Sequence, residues 1–333
     1  MNRSTGFLVA LLSLFPAFAQ AEEPVIDMHL HAHGADLNGP PPTHICPGGE
    51  NPTHDPARPW PEVFGEWLRN PPCSEPLRGS ASDDELMTET LEILRRRNVV
   101  AVTSGPYLER WREAGGDRII AALGFTFRPG ARAADEVREL LASGRYGVFA
   151  EVAIQYAGVS PDDPKFEPYL AAAEELDVPV GIHIGTGPPG APAIPGMGKY
   201  RARLHSALVL EEALVRHPEL RVYVMHAGWP MLDDMLALMW AYPRVHVDTG
   251  ALCFALPRKE FHRYFRRIAE AGFGKRIMFG SDQMNWPGAI ESCIDAIDSA
   301  DFLSRDQKRD VLYNNAARFL RLSEEEIARH HER

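Results

Sequence analysis

Four short phrases constrain this chain more than any other part of its sequence. They are Asp27-Met28-His29-Leu30-His31, Gly181-Ile182-His183, Val224-Met225-His226 and Phe279-Gly280-Ser281-Asp282. Each ends an apolar run in a side chain of metal-ligand type. Short apolar runs separated by helical patterns read as buried parallel strands. Side chains alternate along a strand, so His29 and His31 face the same way. In a closed parallel barrel that way is inward, at the carboxyl end where active sites lie. His226 ends a strand whose inward mates are expected to be Val222 and Val224. Asp282 stands just past Ile277-Met278-Phe279, where a carboxylate is costly unless paired or bound to a cation. Three histidine-bearing ends and one aspartate-bearing end predict a metal-dependent barrel enzyme, with hydrolysis the first chemistry to expect.

Glu151 adds a second acid. It sits inside Val148-Phe149-Ala150-Glu151-Val152-Ala153-Ile154, with Phe149 and Ala153 as expected inward mates. It reads either as a ligand to a second metal or as the partner of Arg128 at the mouth. The ligand set is imidazole and carboxylate without thiolate, which favours zinc, with manganese or iron as alternatives. One or two ions per chain are expected. Zinc lowers the pKa of its water from about 15.7 to about 7, a source of nucleophile that no unassisted histidine base matches. Asp282 then suits proton transfer to the leaving group. His226 suits either a second metal or the substrate carbonyl.

The whole chain follows one pattern. Strands are expected at 25–31, 99–104, 119–126, 147–155, 180–185, 221–226, 245–248 and 277–281, each followed by a helical stretch. Eight β-then-α units predict a distorted (β/α)8 TIM-type barrel over 22–333. No GxGxxG loop follows the first strand, which disfavours an open doubly wound sheet. Residues 34–82 form a long insert, rich in proline and without clear periodicity, whose Cys46 and Cys73 are expected to pair. Its histidines His44 and His54 fit no tight zinc spacing with them. Ser82 and Glu85 predict a capping box at the start of the next helix. Cys253 and Cys293 read as ordinary buried thiols, and the charged tail from Ser323 to Arg333 as fraying.

Residues 1–21 read as a signal peptide: Arg3, an apolar stretch from Phe7 to Phe18, then Ala19-Gln20-Ala21 as a small-x-small cleavage site. Export to the periplasm or beyond is therefore expected. Loss of Arg3 takes the formal charge of −11 to −12. That balance excludes a broad nucleic-acid interface, and no later run is long enough for a membrane span. The expected partner is a small molecule, with a homo-oligomer possible in principle.

These tokens, with Met225-His226-Ala227-Gly228-Trp229-Pro230 and the closing Leu312-Tyr313-Asn314-Asn315-Ala316-Ala317-Arg318-Phe319-Leu320, resemble the amidohydrolase superfamily, in particular its amidohydrolase-related (type 2) branch. The resemblance spans nearly the whole mature chain. It implies a distorted barrel with metal at its mouth. It implies His29, His31, His183 and Asp282 as primary ligands, with His226 as a second-metal ligand or catalytic residue. It leaves open hydrolase, lactonase or non-oxidative decarboxylase of an aromatic or unsaturated acid. Strand four lacks the lysine of many dinuclear members. Glu151 instead resembles the strand-four glutamate of TatD-type hydrolases, which tilts the expectation to hydrolysis of an amide, ester or lactone. Arg128, Tyr156 and Trp286 are the expected substrate contacts, with Arg128 suited to a carboxylate.

Overall fold

The computed structural model describes residues 22–333; the expected signal peptide, 1–21, lies outside them. Strands one to eight are Val25–His31, Val99–Ser104, Ile119–Ala121, Phe149–Val152, Val180–His183, Val222–Met225, Val245–Asp248 and Ile277–Met278. The helices that follow them in turn are Asp83–Arg96, Leu108–Gly115, Ala134–Ala142, Glu167–Glu175, Glu211–Arg216, Leu232–Ala241, Arg258–Ile268 and Ala289–Asp298. All eight strands run parallel, in a three-stranded and a five-stranded sheet. Single parallel bridges join the two sheets at both seams. Ala122 pairs with Val148 and Phe125 with Val152 on one side, and Leu30 with Gln283 on the other. The expected TIM-type barrel is therefore present; strand three is shorter than anticipated because its outer half carries seam bridges at Ala122 and Phe125, and strand eight ends at Met278, before the seam bridge at Gln283.

Two apolar layers hold it. Inside, Ile26, Met28, Val102, Val148, Ala150, Tyr223, Met225 and Met278 pack with Tyr313 and Phe319, which close the base. Outside, helices lay one stripe against the strands. Phe261, Tyr264, Phe265 and Ile268 are such a stripe, at the i, i+3, i+4, i+7 spacing of a helix face. Tyr223 crosses the interior to donate to the Met28 carbonyl at 3.0 Å. Its ring fills the space a Cβ on Gly181 would need, 2.4 Å away.

Several expectations change. Tyr223 and Met225 face the interior, and Val222 and Val224 pack outward. His226 reaches the mouth because its backbone turns left-handed, φ 64°, and not by strand alternation. Phe149 likewise packs outward, and a register break between Phe149 and Val152 frees Glu151 from that alternation. Cys46 and Cys73 are bonded, which removes thiolates from any site with His44 and His54. Cys253 and Cys293 are also bonded: the helices Leu252–Ala255 and Ala289–Asp298, after strands seven and eight, bring their Cα atoms to 4.9 Å. The insert is ordered by the helix Trp60–Arg69 and an antiparallel pair, His44–Ile45 with Leu77–Arg78. Ser82 caps Glu85 as expected, but Glu85 returns to the Ala81 amide, one residue before the cap. The tail does not fray. Glu324–His331 is a helix with a full Ser323–Glu326 capping box, and buried His330 holds Tyr313 at 3.0 Å.

No helix among the described residues is long and apolar enough to cross a membrane.

Candidate metal centre

The ends of strands one, four, five, six and eight converge at the mouth. Around one point, His29 Nε2 lies 3.1 Å from His31 Nε2 and 3.3 Å from Asp282 Oδ1, and His31 Nε2 lies 3.0 Å from that oxygen. Beside it, Glu151 Oε1 is 2.5 Å from His183 Nδ1 and 3.9 Å from His226 Nε2, and those two nitrogens are 3.0 Å apart. Two overlapping ligand sets result, His29-His31-Asp282 and His29-Glu151-His226, each with donor atoms within 4.8 Å.

Neighbouring groups aim these side chains. Asp248, at the end of strand seven, takes a hydrogen bond from His29 Nδ1 at 3.0 Å on one oxygen. Its other oxygen accepts from the amides of His226 and Gly250 at 2.9 and 3.0 Å. His29 therefore presents the Nε2 lone pair to the centre. The Gly250 carbonyl does the same for His226 through Nδ1, at 2.9 Å. Asp27 accepts from the amides of His29 and Ser281, and from the Ser281 hydroxyl, so it ties strand one to strand eight beneath both ligands. Glycine leaves room for the rings. A Cβ on Gly250 would sit 2.5 Å from His29 Nδ1, and one on Gly185 would sit 2.6 Å from His226 Cβ. His226, Ala227, Ala251 and Asp282 hold positive φ, a conformation that costs about 1–3 kcal/mol and clusters at functional sites.

Charge is concentrated here. Burial pushes His29 down, but Asp282 and Asp248 outweigh it and raise it to about 10. Burial works against ionised Glu151 and Asp282, yet His183 holds the first well below the usual carboxylate range and His29 lowers the second. Burial lowers His183, helped by the neighbouring His226. Burial also opposes charge on His226, and Glu151 reverses this to raise it. Burial raises Asp27 to about 6.

The donors fit a metal. Ligands about 2.0–2.1 Å from zinc at tetrahedral angles stand about 3.3 Å from one another, close to the 3.0–3.3 Å edges of the His29-His31-Asp282 set. Two imidazole lone pairs and a carboxylate at that spacing repel unless a cation or protons lie between them. His183 Nε2 and His31 Nδ1 are buried without hydrogen-bond partners, an arrangement costing about 1–3 kcal/mol each.

Of the expected substrate contacts, Tyr156 lies at this mouth, its ring 4.7 Å from His183 and 5.6 Å from Tyr200. Burial, reinforced by Glu151, raises its phenol well above the usual value. Arg128 is exposed at the rim, and no carboxylate among the described residues pairs with it; Glu151 is held by histidines instead. Trp286 is not brought into the site. It is buried under the insert, donates to the Thr43 carbonyl at 3.0 Å and packs on Phe254. The sequence reading missed His33, which stacks on His31 at 4.9 Å and 22°. The continuing His-x-His-x-His alternation was its signal.

Comparison with known proteins places this geometry. The family model described as Amidohydrolase matches residues 26–322, and the chain belongs to that family. No curated protein matches the sequence. Among solved structures, an uncharacterised TIM-barrel protein from Bordetella bronchiseptica is 16% identical over 93% of this chain and 100% of its own, with a TM-score of 0.59. A probable 2-pyrone-4,6-dicarboxylic acid hydrolase from Acinetobacter baumannii is 14% identical over 90% and 99%, TM-score 0.55. A 5-carboxyvanillate decarboxylase from Novosphingobium aromaticivorans with bound manganese is 16% identical over 91% and 98%, TM-score 0.52. At these identities the likeness is one of fold.

Proposed function

We propose that this amidohydrolase-family enzyme is a secreted, metal-dependent hydrolase of an amide, ester or lactone bond in a small carboxylate-bearing molecule. The observation that carries the reading is the position of Glu151. It joins His183 and His226 at the edge of the His29-His31-Asp282 set, and a dedicated strand-four acid supports hydrolysis, on one or two ions. Zinc is our first choice, with manganese, as in the decarboxylase of similar fold, an alternative.

When bound, a divalent ion supplies Lewis acidity that brings water toward ionisation at neutral pH. The chain's own residues do the rest. His29, His31 and Asp282 would hold the first position, and His29, Glu151 and His226 the neighbouring one, with His183 beside it on Glu151. The Nδ1 bond of His226 to Gly250 leaves its Nε2 lone pair for a ligand role, in preference to donation to a carbonyl. Asp282 takes up the water's proton and passes it to the leaving group. The Tyr156 phenol keeps its proton and can donate to the substrate oxygen on which charge develops. Arg128, unpaired at the rim, anchors a substrate carboxylate. The bonding of all four cysteines supports an oxidising compartment, in line with the signal peptide expected from the sequence.

Arg128 and Tyr156 equally suit a decarboxylase, with an anion clamp and a proton donor. The test is a panel of esters, lactones, amides and aromatic acids, with metal content measured by elemental analysis. We expect stoichiometric metal and a hydrolysed substrate whose turnover Asp282→Asn abolishes. Carbon dioxide release from an acid would replace hydrolase by lyase. Full activity without metal would overturn both.

A further inference from the structure

The six residues at the centre are not equally reachable. The side chains of His29, His31, His183, His226 and Asp282 are 8% exposed or less, whereas that of Glu151 is 16% exposed. Half-buried His33 stacks on His31 and half-buried Tyr156 packs on His183, the two histidines that flank Glu151 at 3.5 and 2.5 Å. The insert is anchored to other loops of the rim. It is fixed to the loop after strand eight, where Asn285 binds Asn38, the Ala35 carbonyl and Thr43, and Trp286 binds the Thr43 carbonyl. It is fixed to the turn after strand seven, where the Gly48 amide donates to the Phe254 carbonyl at 2.7 Å. It is fixed to the loop after strand five by Trp60, which donates to the Pro189 carbonyl at 2.9 Å. A Cβ on Gly190 would sit 2.2 Å from the same indole. The Cys46–Cys73 bond closes the insert on itself. The loops after strands three and four carry none of these anchors, and Arg128, after strand three, stands exposed.

We infer that the insert is a fixed wall along one half of the rim, and that substrate enters only on the opposite side, between Arg128, His33 and Tyr156. This builds on the hydrolase reading and sharpens it. A substrate entering that way leads with its reacting bond and trails its anionic end at Arg128. The class is a compact molecule with a carboxylate remote from the scissile bond. Interior bonds of a polymer, which need the chain to leave on the far side, are excluded by the wall.

Because both native cysteine pairs are bonded, single introduced cysteines can be labelled selectively. Arg128→Cys tests the entry side and Leu37→Cys, exposed on the insert, tests the wall. Each is capped with N-ethylmaleimide or with a long polyethylene glycol maleimide, so that the linkage is shared and bulk differs. Two rates are read that need no turnover: carbethoxylation of His33 by diethyl pyrocarbonate, mapped by mass spectrometry in metal-free protein, and cobalt uptake followed by its visible absorption. The polymer at position 128 is expected to slow both by about tenfold or more, and at position 37 to change them less than about twofold. Equal rates for the two caps at 128, or stronger blocking at 37, would overturn the proposal. If instead the entry pattern holds and no ester, lactone or amide is cleaved, the hydrolase reading fails and the access route stands.

Discussion

Replacing Asp248 by asparagine separates the aiming of a ligand from the stability of the fold. One oxygen of Asp248 accepts the amides of His226 and Gly250, and the other accepts His29 Nδ1. An asparagine carbonyl keeps both amide bonds, so no backbone donor is orphaned. Its NH2 then faces His29 Nδ1, which must accept instead of donate. The proton moves to His29 Nε2, into the space between His31 and Asp282, where the metal lone pair is needed. Loss of such an outer partner costs about 10–100-fold in metal affinity, or about 1.4–2.7 kcal/mol. Asp248→Ala, by contrast, strands three buried donors at about 1–3 kcal/mol each and should lower the melting temperature sharply. Cobalt or zinc affinity by chelator competition, beside thermal unfolding of the metal-free proteins, reads both quantities. Asp248→Asn with wild-type metal affinity would refute the tautomer argument. So would a loss of metal-free stability as large as that of the alanine variant.

Glu151→Gln should lower the bound metal, or its affinity at one of two positions, with little change in the unfolding midpoint. An unchanged titration would leave Glu151 out of the ligand set. His29 holds a proton up to about 10 in the metal-free site, so metal uptake at neutral pH must expel at least about one proton. Calorimetry in buffers of different ionisation enthalpy measures that number, and zero would contradict it. Burial lowers His246 from 6.5 to about 4, against its bond to the Arg244 carbonyl and with Arg276 adding to the fall. The unfolded chain therefore binds this proton first as pH drops. The contribution is complete above about 6.5 and is lost toward about 4, at up to about 1.4 kcal/mol per pH unit. His246→Gln should flatten the denaturation midpoint between pH 6.5 and 4.5; a parallel shift at both would argue against it.

Much of the site was legible because a histidine or carboxylate at the end of an apolar strand is costly to bury without a cation or a partner. His29, His31, His183, His226, Glu151 and Asp282 were all visible in this way, and they do meet. The route by which they meet was not visible. Alternation along an ideal strand misassigned the interior mates of His226 and Glu151, since a left-handed residue and a register break turn them instead. The Cys253–Cys293 bond depends on two helices after adjacent strands, a juxtaposition that sequence separation hides. Trp286 lies near the mouth in sequence and under the insert in space, because Thr43 offers its indole a buried acceptor. The insert lacks a long periodic stretch, as its order comes from contacts with three distant loops. His330 anchors a tail whose charge alone suggested fraying.

A cation is expected among side chains drawn from distant parts of the chain. A crystal structure of the purified protein, with anomalous scattering collected at the edge of the metal found by elemental analysis, tests it directly. The expected result is a peak bounded by His29, His31 and Asp282, with Glu151 at its border. Stoichiometric metal with no peak there, or a peak held by other residues, would contradict it.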